Sequence, residues 1–193
     1  MLSIRSPSES VNILLTYLEL EMIILIGHSM GGAITLHLVL NYPDLPIEKL
    51  VLIGTGAKLG VAPIFFETIK KNFGEALKLM GKFAYHEKAF LQVKLNNEEI
   101  LLKNGPEVLL EDFNACNMFD IRSKLNRISK ETLIICGEDD QMTPVFYSSY
   151  LNENITNSKL SVIPEAGHFV FQEKAYEVND IIHQFIKWNR EST

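Results

Sequence analysis

A serine sits at the centre of Gly27-His28-Ser29-Met30-Gly31, directly after the apolar run Met22-Ile23-Ile24-Leu25-Ile26 and directly before a helix-like stretch. Gly-x-Ser-x-Gly at a strand-to-helix turn is a nucleophile elbow. The turn is too sharp for side chains at its flanks, which places glycine at 27 and 31. The serine is held in a strained backbone state, with its hydroxyl standing up from the sheet edge. Such a hydroxyl is a weak nucleophile alone and needs a base to take its proton. Of the five histidines, His28 lies inside the elbow and points elsewhere by strand geometry. His37 and His183 fall on helical stretches, and His86 lies within the 60–128 segment. His168 differs, because Ile163-Pro164-Glu165-Ala166-Gly167-His168 follows a strand and opens a loop at its C-terminal end. Open parallel sheets place their chemistry at that edge. The base in turn needs a carboxylate to fix its tautomer and stabilise the imidazolium. The loop Gly137-Glu138-Asp139-Asp140-Gln141-Met142-Thr143-Pro144 offers three acids. Asp140, four residues before the proline, is preferred, and Asp139 is its rival. The order Ser29, Asp140, His168 is the one known for such elbows.

These residues need a frame. Ser6-Pro7-Ser8-Glu9 reads as a helix start, with Ser6 as cap and Glu9 three residues on. Val11, Leu14, Leu15 and Leu18 follow at helical spacing. Residues 22–27 read as a strand buried on both sides, and a helix runs from about Met30 to Asn41. Further strands read at 49–55, 132–137 and 159–164. A last helix runs from Ala175 to about Trp188, with Val178, Ile181, Ile182, Phe185 and Ile186 inward. Strands alternating with helices imply an α/β fold with a mostly parallel sheet flanked by helices. Residues 60–128 show helical periods and no convincing strand, and seven of the eleven Phe fall between Phe65 and Phe119. The expectation is a helical lid over 60–128, inserted after the second strand into a core of residues 1–59 and 129–193. Phe65, Phe66, Phe119 and Phe169 are candidates to line an apolar pocket, the alternative being that the lid's aromatics form its own small core.

The formal net charge of −6 argues against nucleic acid or an anionic membrane surface as the main partner. A hydrophobic content of 47% with 22% charged residues suits a chain that buries a core and stays in solution. Cys116 and Cys136 are far apart without metal spacing, and Cys136 reads as a small buried thiol. No apolar run approaches the ~20 residues of a membrane span, and the first residues lack the apolar stretch of a signal peptide. A cytoplasmic location is expected.

The sequence resembles the α/β-hydrolase fold family, in its lidded, esterase- and lipase-like form. Gly27-His28-Ser29-Met30-Gly31-Gly32 matches that family's elbow, Gly137-x-x-Asp140-x-x-x-Pro144 its acid loop, and Ala166-Gly167-His168 its histidine loop. Leu50 to Ala57 resembles the strand after the elbow helix, and Phe119-Asp120-Ile121-Arg122 the segment returning from the lid. The resemblance implies a serine hydrolase for small-molecule carboxylic esters, without metal or organic cofactor. Ser29 attacks the carbonyl, His168 shuttles the proton and Asp140 orients His168. The backbone N–H of Met30 gives one oxyanion donor, and water hydrolyses the acyl-enzyme. Thioester, lactone or carbon–carbon bond hydrolysis, perhydrolysis, and a non-catalytic binding module are the alternative readings. A serine nucleophile speaks against the dehalogenases and epoxide hydrolases of the same fold. The family also carries strands before the elbow helix, with a His-Gly loop that gives a second oxyanion donor. These are expected to be missing here, as in a fragment, a partnered assembly or a remnant. The strand at 22–27 would then be an open edge able to self-associate or pair with a partner.

Overall fold

The computed structural model describes residues 3–187, and four parallel strands with helices on both faces make up its core. The elements run α1 (Arg5–Tyr17), β1 (Ile23–His28), α2 (Met30–Asn41), β2 (Ile47–Ile53), α3 (Pro63–Lys71), α4 (Phe73–Ala84), α5 (Leu91–Asn104), α6 (Pro106–Met118), a 3-10 turn at Arg122–Arg127, β3 (Glu131–Gly137), α7 (Val145–Asn154), β4 (Ser158–Ile163), α8 (Val170–Glu173) and α9 (Ala175–Lys187). The strand order is β1-β2-β3-β4, so each strand pairs with its sequence neighbour.

The period of two along a strand sorts the core into two halves. Leu50, Leu52 and Ile134 point to one side and pack with Leu36 and Leu151 of α2 and α7. Val51, Ile53, Leu133 and Ile135 point to the other and meet Val170 of α8 and Val178 of α9. Leu50, Leu52 and Ile134 have no exposed surface, each contributing about 1.5–3 kcal/mol by burial. Ile181, Ile182 and Phe185 of α9 pack inward as expected. Trp188, where that helix was expected to end, lies outside the described residues.

Two local expectations are corrected. The first helix begins at Arg5 with Ile4 as its cap position and no side-chain cap. Ser6 therefore lies inside the first turn, while the Ser8 hydroxyl donates back to the Ile4 carbonyl at 2.7 Å. Ile4 is 3% exposed, so burying it starts the helix ahead of the polar signal. The second correction concerns β1, which is not buried on both sides. It forms the edge of the described sheet, as expected for it, but one of its faces is partly uncovered, with Ile26 53% exposed.

The 60–128 region is helical, as its periodicity predicts, with α3, α4 and α6 sharing a small core around Ile69, Ala76, Leu77 and Leu109. Its two ends are tied together. The Leu59 N–H donates to the Phe119 carbonyl, and the Ile121 N–H to the Ala57 carbonyl at 2.8 Å. Among the described residues no helix is long and apolar enough to cross a membrane.

Candidate active site

The C-terminal ends of β1, β3 and β4 release the three residues singled out above. Ser29 follows β1 at φ 52° and ψ −118°, a left-handed conformation that costs about 1–3 kcal/mol in a non-glycine residue. The surroundings hold it there. Its N–H donates to the Ile53 carbonyl at 2.9 Å. Its own carbonyl accepts the Thr55 hydroxyl at 2.8 Å and the N–H groups of Gly32 and Ala33.

The expected pair of tight glycines is half right. A Cβ on Gly27 would sit 2.4 Å from the Gly31 carbonyl oxygen and 2.5 Å from the Thr35 hydroxyl. A Cβ on Gly31 would meet nothing within 4 Å. The close approach is made by the Gly31 main chain, whose own side-chain direction faces open space. The second position that must stay bare is Gly32, where a Cβ would lie 2.5 Å from Thr55.

Asp140 is 3% exposed and His168 5% exposed. The His168 Nδ1–H donates to Asp140 Oδ2 at 2.9 Å. The Thr143 hydroxyl donates to the same oxygen at 2.9 Å, and the N–H groups of Met142 and Thr143 donate to Oδ1 at 2.9 and 2.8 Å. Burial pushes the Asp140 carboxyl up, but the His168 bond and charge with the Thr143 bonds prevail and bring it below the usual range. The rival Asp139 turns outward, its Oδ2 3.7 Å from His86 Nε2. Thr143 and Gly54 were not singled out from the sequence. Thr143 sits three residues past Asp140, and its Oγ1 also lies 3.2 Å from His168 Nδ1. Gly54, at φ 50°, lets the chain leaving β2 pass the pair, since a Cβ there would come within 3.3 Å of both Asp140 Oδ2 and His168 Nδ1.

Ser29 and His168 share the wall of one cavity of about 380 Å³. No hydrogen bond joins them, and His168 Nε2 makes none among the described residues. Of the four aromatic rings expected there, Phe65 lines this cavity. The other three do not. Phe119 is buried in the main core, Phe66 packs edge-on against Phe113, and Phe169 stacks on Tyr85 at 5.0 Å in a neighbouring groove. Phe83, Phe113, Phe146 and Met142 line the wall instead, with no Asp, Glu, Lys or Arg. Helical spacing shows which rings share a face, not which face meets the sheet edge. Cys116 also reaches this wall, and burial pushes its thiol up to about 12. Met30 opens α2, so its N–H is one of the first-turn amides without an intrahelical acceptor.

His28 is closer to the site than expected. Its Nε2–H donates to the His168 carbonyl at 2.9 Å, and the two rings lie 4.6 Å apart. Burial, helped by repulsion from His168, lowers its pKa to about 3. Among the described residues no group of His, Cys, Asp and Glu is arranged to hold a metal ion.

Two outcomes are expected. In urea denaturation, Gly27→Ala should cost about 1–3 kcal/mol by overpacking, whereas Gly31→Ala should be neutral or stabilising by up to about 1 kcal/mol. Equal losses at the two positions would contradict this account of the turn. The second outcome concerns pH. The unfolded chain protonates His28 near its ordinary value, whereas the folded chain resists protonation down to about 3. The stability it contributes is therefore complete above about pH 6.5 and is lost as pH falls toward 3, at up to about 1.4 kcal/mol per pH unit. His28→Gln, which keeps a donor for the His168 carbonyl, should flatten the stability profile in that window.

A family model described as serine aminopeptidase, S33, matches residues 11–175. The 2-hydroxy-6-oxo-6-phenylhexa-2,4-dienoate hydrolase of Comamonas testosteroni is 29% identical over 93% of this chain and 68% of its own. The pimeloyl-[acyl-carrier protein] methyl ester esterase of Neisseria meningitidis serogroup C is 27% identical over 84% and 69%. The solved structure of a thermophilic esterase superposes with a TM-score of 0.88 at 32% identity, covering 97% of this chain and 74% of that one. A profile match across most of the sequence, hydrolases among its relatives, and the close superposition on a solved esterase agree, and the chain belongs to the α/β-hydrolase family.

Proposed function

We propose that this chain is a serine hydrolase of carboxylic esters with uncharged, apolar acyl groups, working through an acyl-enzyme. The observation that carries the reading is the shared cavity wall of Ser29 and His168, with the far nitrogen of His168 bonded to a buried Asp140. The bond at Nδ1 places the proton there and leaves the Nε2 lone pair free to accept from the serine. In this reading Ser29 Oγ attacks the ester carbonyl while His168 Nε2 takes its proton. The oxyanion that forms meets the Met30 N–H at the positive end of α2. His168 then returns the proton to the leaving alcohol, and water repeats the sequence on the acyl-enzyme. Asp140 holds the ring and stabilises its charged form. Hydrogen bonds of this kind are often long before substrate binds and tighten in the complex.

The substrate class follows from the wall. Phe65, Phe83 and Phe113, from α3, α4 and α6, give it apolar surface, so the segment over 60–128 acts as a lid that builds the pocket. A substrate's charged amino terminus would meet no carboxylate on the lining, and desolvating it without a partner is costly. That favours an uncharged ester over a peptide. A further hollow of about 450 Å³, lined by aromatic rings with Lys58, Arg122 and Glu153 beside them, shares Gly60, Phe146 and Tyr147 with the cavity and gives room for a second substituent. A second reading, hydrolysis of a carbon–carbon bond beside a ketone, is favoured by the dienoate hydrolase among the relatives.

A fluorophosphonate probe should label the protein, and Ser29→Ala should abolish labelling. On 4-nitrophenyl butyrate, Asp140→Asn should lower kcat by about 10⁴-fold, and His168→Ala by at least about 10³-fold. Asp139→Asn should stay within about threefold, since its carboxylate points away from the site. Near wild-type turnover by His168→Ala would show that the base is misassigned. Turnover of a 2-hydroxy-6-oxodienoate with no ester turnover would select the second reading.

A further inference from the structure

One backbone bond and one carboxylate hold the loop that carries His168, and they come from the helical insertion and from α8. The His168 N–H donates to the Ala84 carbonyl at 2.8 Å, at the end of α4. Glu173, at the end of α8, accepts the Gly167 N–H on Oε1 at 3.1 Å and the His86 N–H on Oε2 at 2.9 Å. The two segments lie in contact: a Cβ on Gly167 would come within 2.8 Å of the Ala84 carbonyl oxygen and of the His86 nitrogen. Beside them, the Tyr85 ring stacks on Phe169. Asn97 Nδ2 donates both to the Tyr85 hydroxyl oxygen at 2.7 Å and to Gln172 Oε1 at 2.6 Å. The Lys88–Glu165 ion pair closes the outer side, where both side chains are more than half exposed.

We propose that Glu173 is a positioning residue for the base: its carboxylate ties the 84–86 segment to the histidine loop, so that the insertion sets the orientation of His168 toward Asp140 and the cavity. This rests on reading His168 as the base. The chemistry of the tie is specific. Each carboxylate oxygen serves one backbone N–H, and both donors belong to main chain that has no other described acceptor. Burial raises the Glu173 carboxyl, and the two N–H bonds act against that shift. A glutamine has one acceptor oxygen, and its amide NH₂ would face the second N–H. An aspartate keeps both oxygens but is one methylene short. A shift of the imidazole by even about 1 Å is enough to cost two orders of magnitude in turnover. A mere structural staple would lower stability without that selectivity.

The test compares wild type, Glu173→Gln, Glu173→Asp and the control Lys88→Ala in the full chain. It measures 4-nitrophenyl butyrate kinetics, amide hydrogen exchange and urea midpoints. Glu173→Gln should lower kcat about 10- to 100-fold with KM within about twofold, and should speed exchange at Gly167 and His168 beyond any change in the core strands. Lys88→Ala should leave kcat and exchange at those two amides unchanged. A fall in urea midpoint with kcat and local exchange unaltered overturns the proposal, as does open-loop exchange of both amides in wild type. If Glu173→Gln does not fold, Glu173→Asp carries the same comparison. If wild type neither turns over the ester nor takes up a fluorophosphonate, the hydrolase reading fails, while local exchange still decides whether the carboxylate holds the loop.

Discussion

A carboxylate with almost no solvent contact must be met by donors on every side, and Asp140 is such a group. Two backbone N–H groups, one hydroxyl and one imidazole converge on it. The loop after β3 curls so that Met142 and Thr143 turn their amides back onto it. The loop after β4 must then deliver His168 to its remaining open side. That delivery requires close backbone contact. A Cβ on Gly137 would lie 2.2 Å from the Ala166 carbonyl oxygen, and one on Gly54 would press on the pair itself. Much of the local geometry at this sheet edge can be understood as the cost of keeping one charge buried and paired.

The histidine is constrained from several directions at once. Asp140 fixes its ring, His28 donates to its carbonyl, and Ala84 accepts its N–H. The elbow thus supplies Ser29 and, one residue earlier, a side chain that supports the residue we propose as its base. The neutral state of His28 suits that place, because a second positive charge 4.6 Å from the His168 ring would oppose imidazolium formation there.

The helical insertion belongs to the same arrangement. Its ends are pinned by the bonds of Leu59 to Phe119 and of Ile121 to Ala57. Its aromatics face the cavity from α3, α4 and α6, and its 84–86 segment lies against the histidine loop. Under the proposed function, the insertion that shapes the apolar pocket also touches the catalytic base.

The sequence by itself determined the strands, the elbow and the loops that carry Asp140 and His168. Each rests on a local cause: unbroken apolar runs of strand length, a glycine required at 27, and loops that follow strand ends. It did not determine which aromatics face the cavity. Phe65 and Phe66 are neighbours on one helix, and only the seating of α3 turns Phe65 inward. It missed the start of α1, because the burial of Ile4 is a tertiary gain that outweighs the Ser6 signal. It marked β1 as an edge strand but put both of its faces under cover, because an apolar run reads the same whether or not a helix packs on each face. Tertiary structure bonded His168 to Asp140, the acid the sequence already preferred over Asp139, and it alone joined Glu173 to Gly167 and His86. These pairings depend on how two chain segments distant in sequence approach one another, and no local pattern encodes that distance.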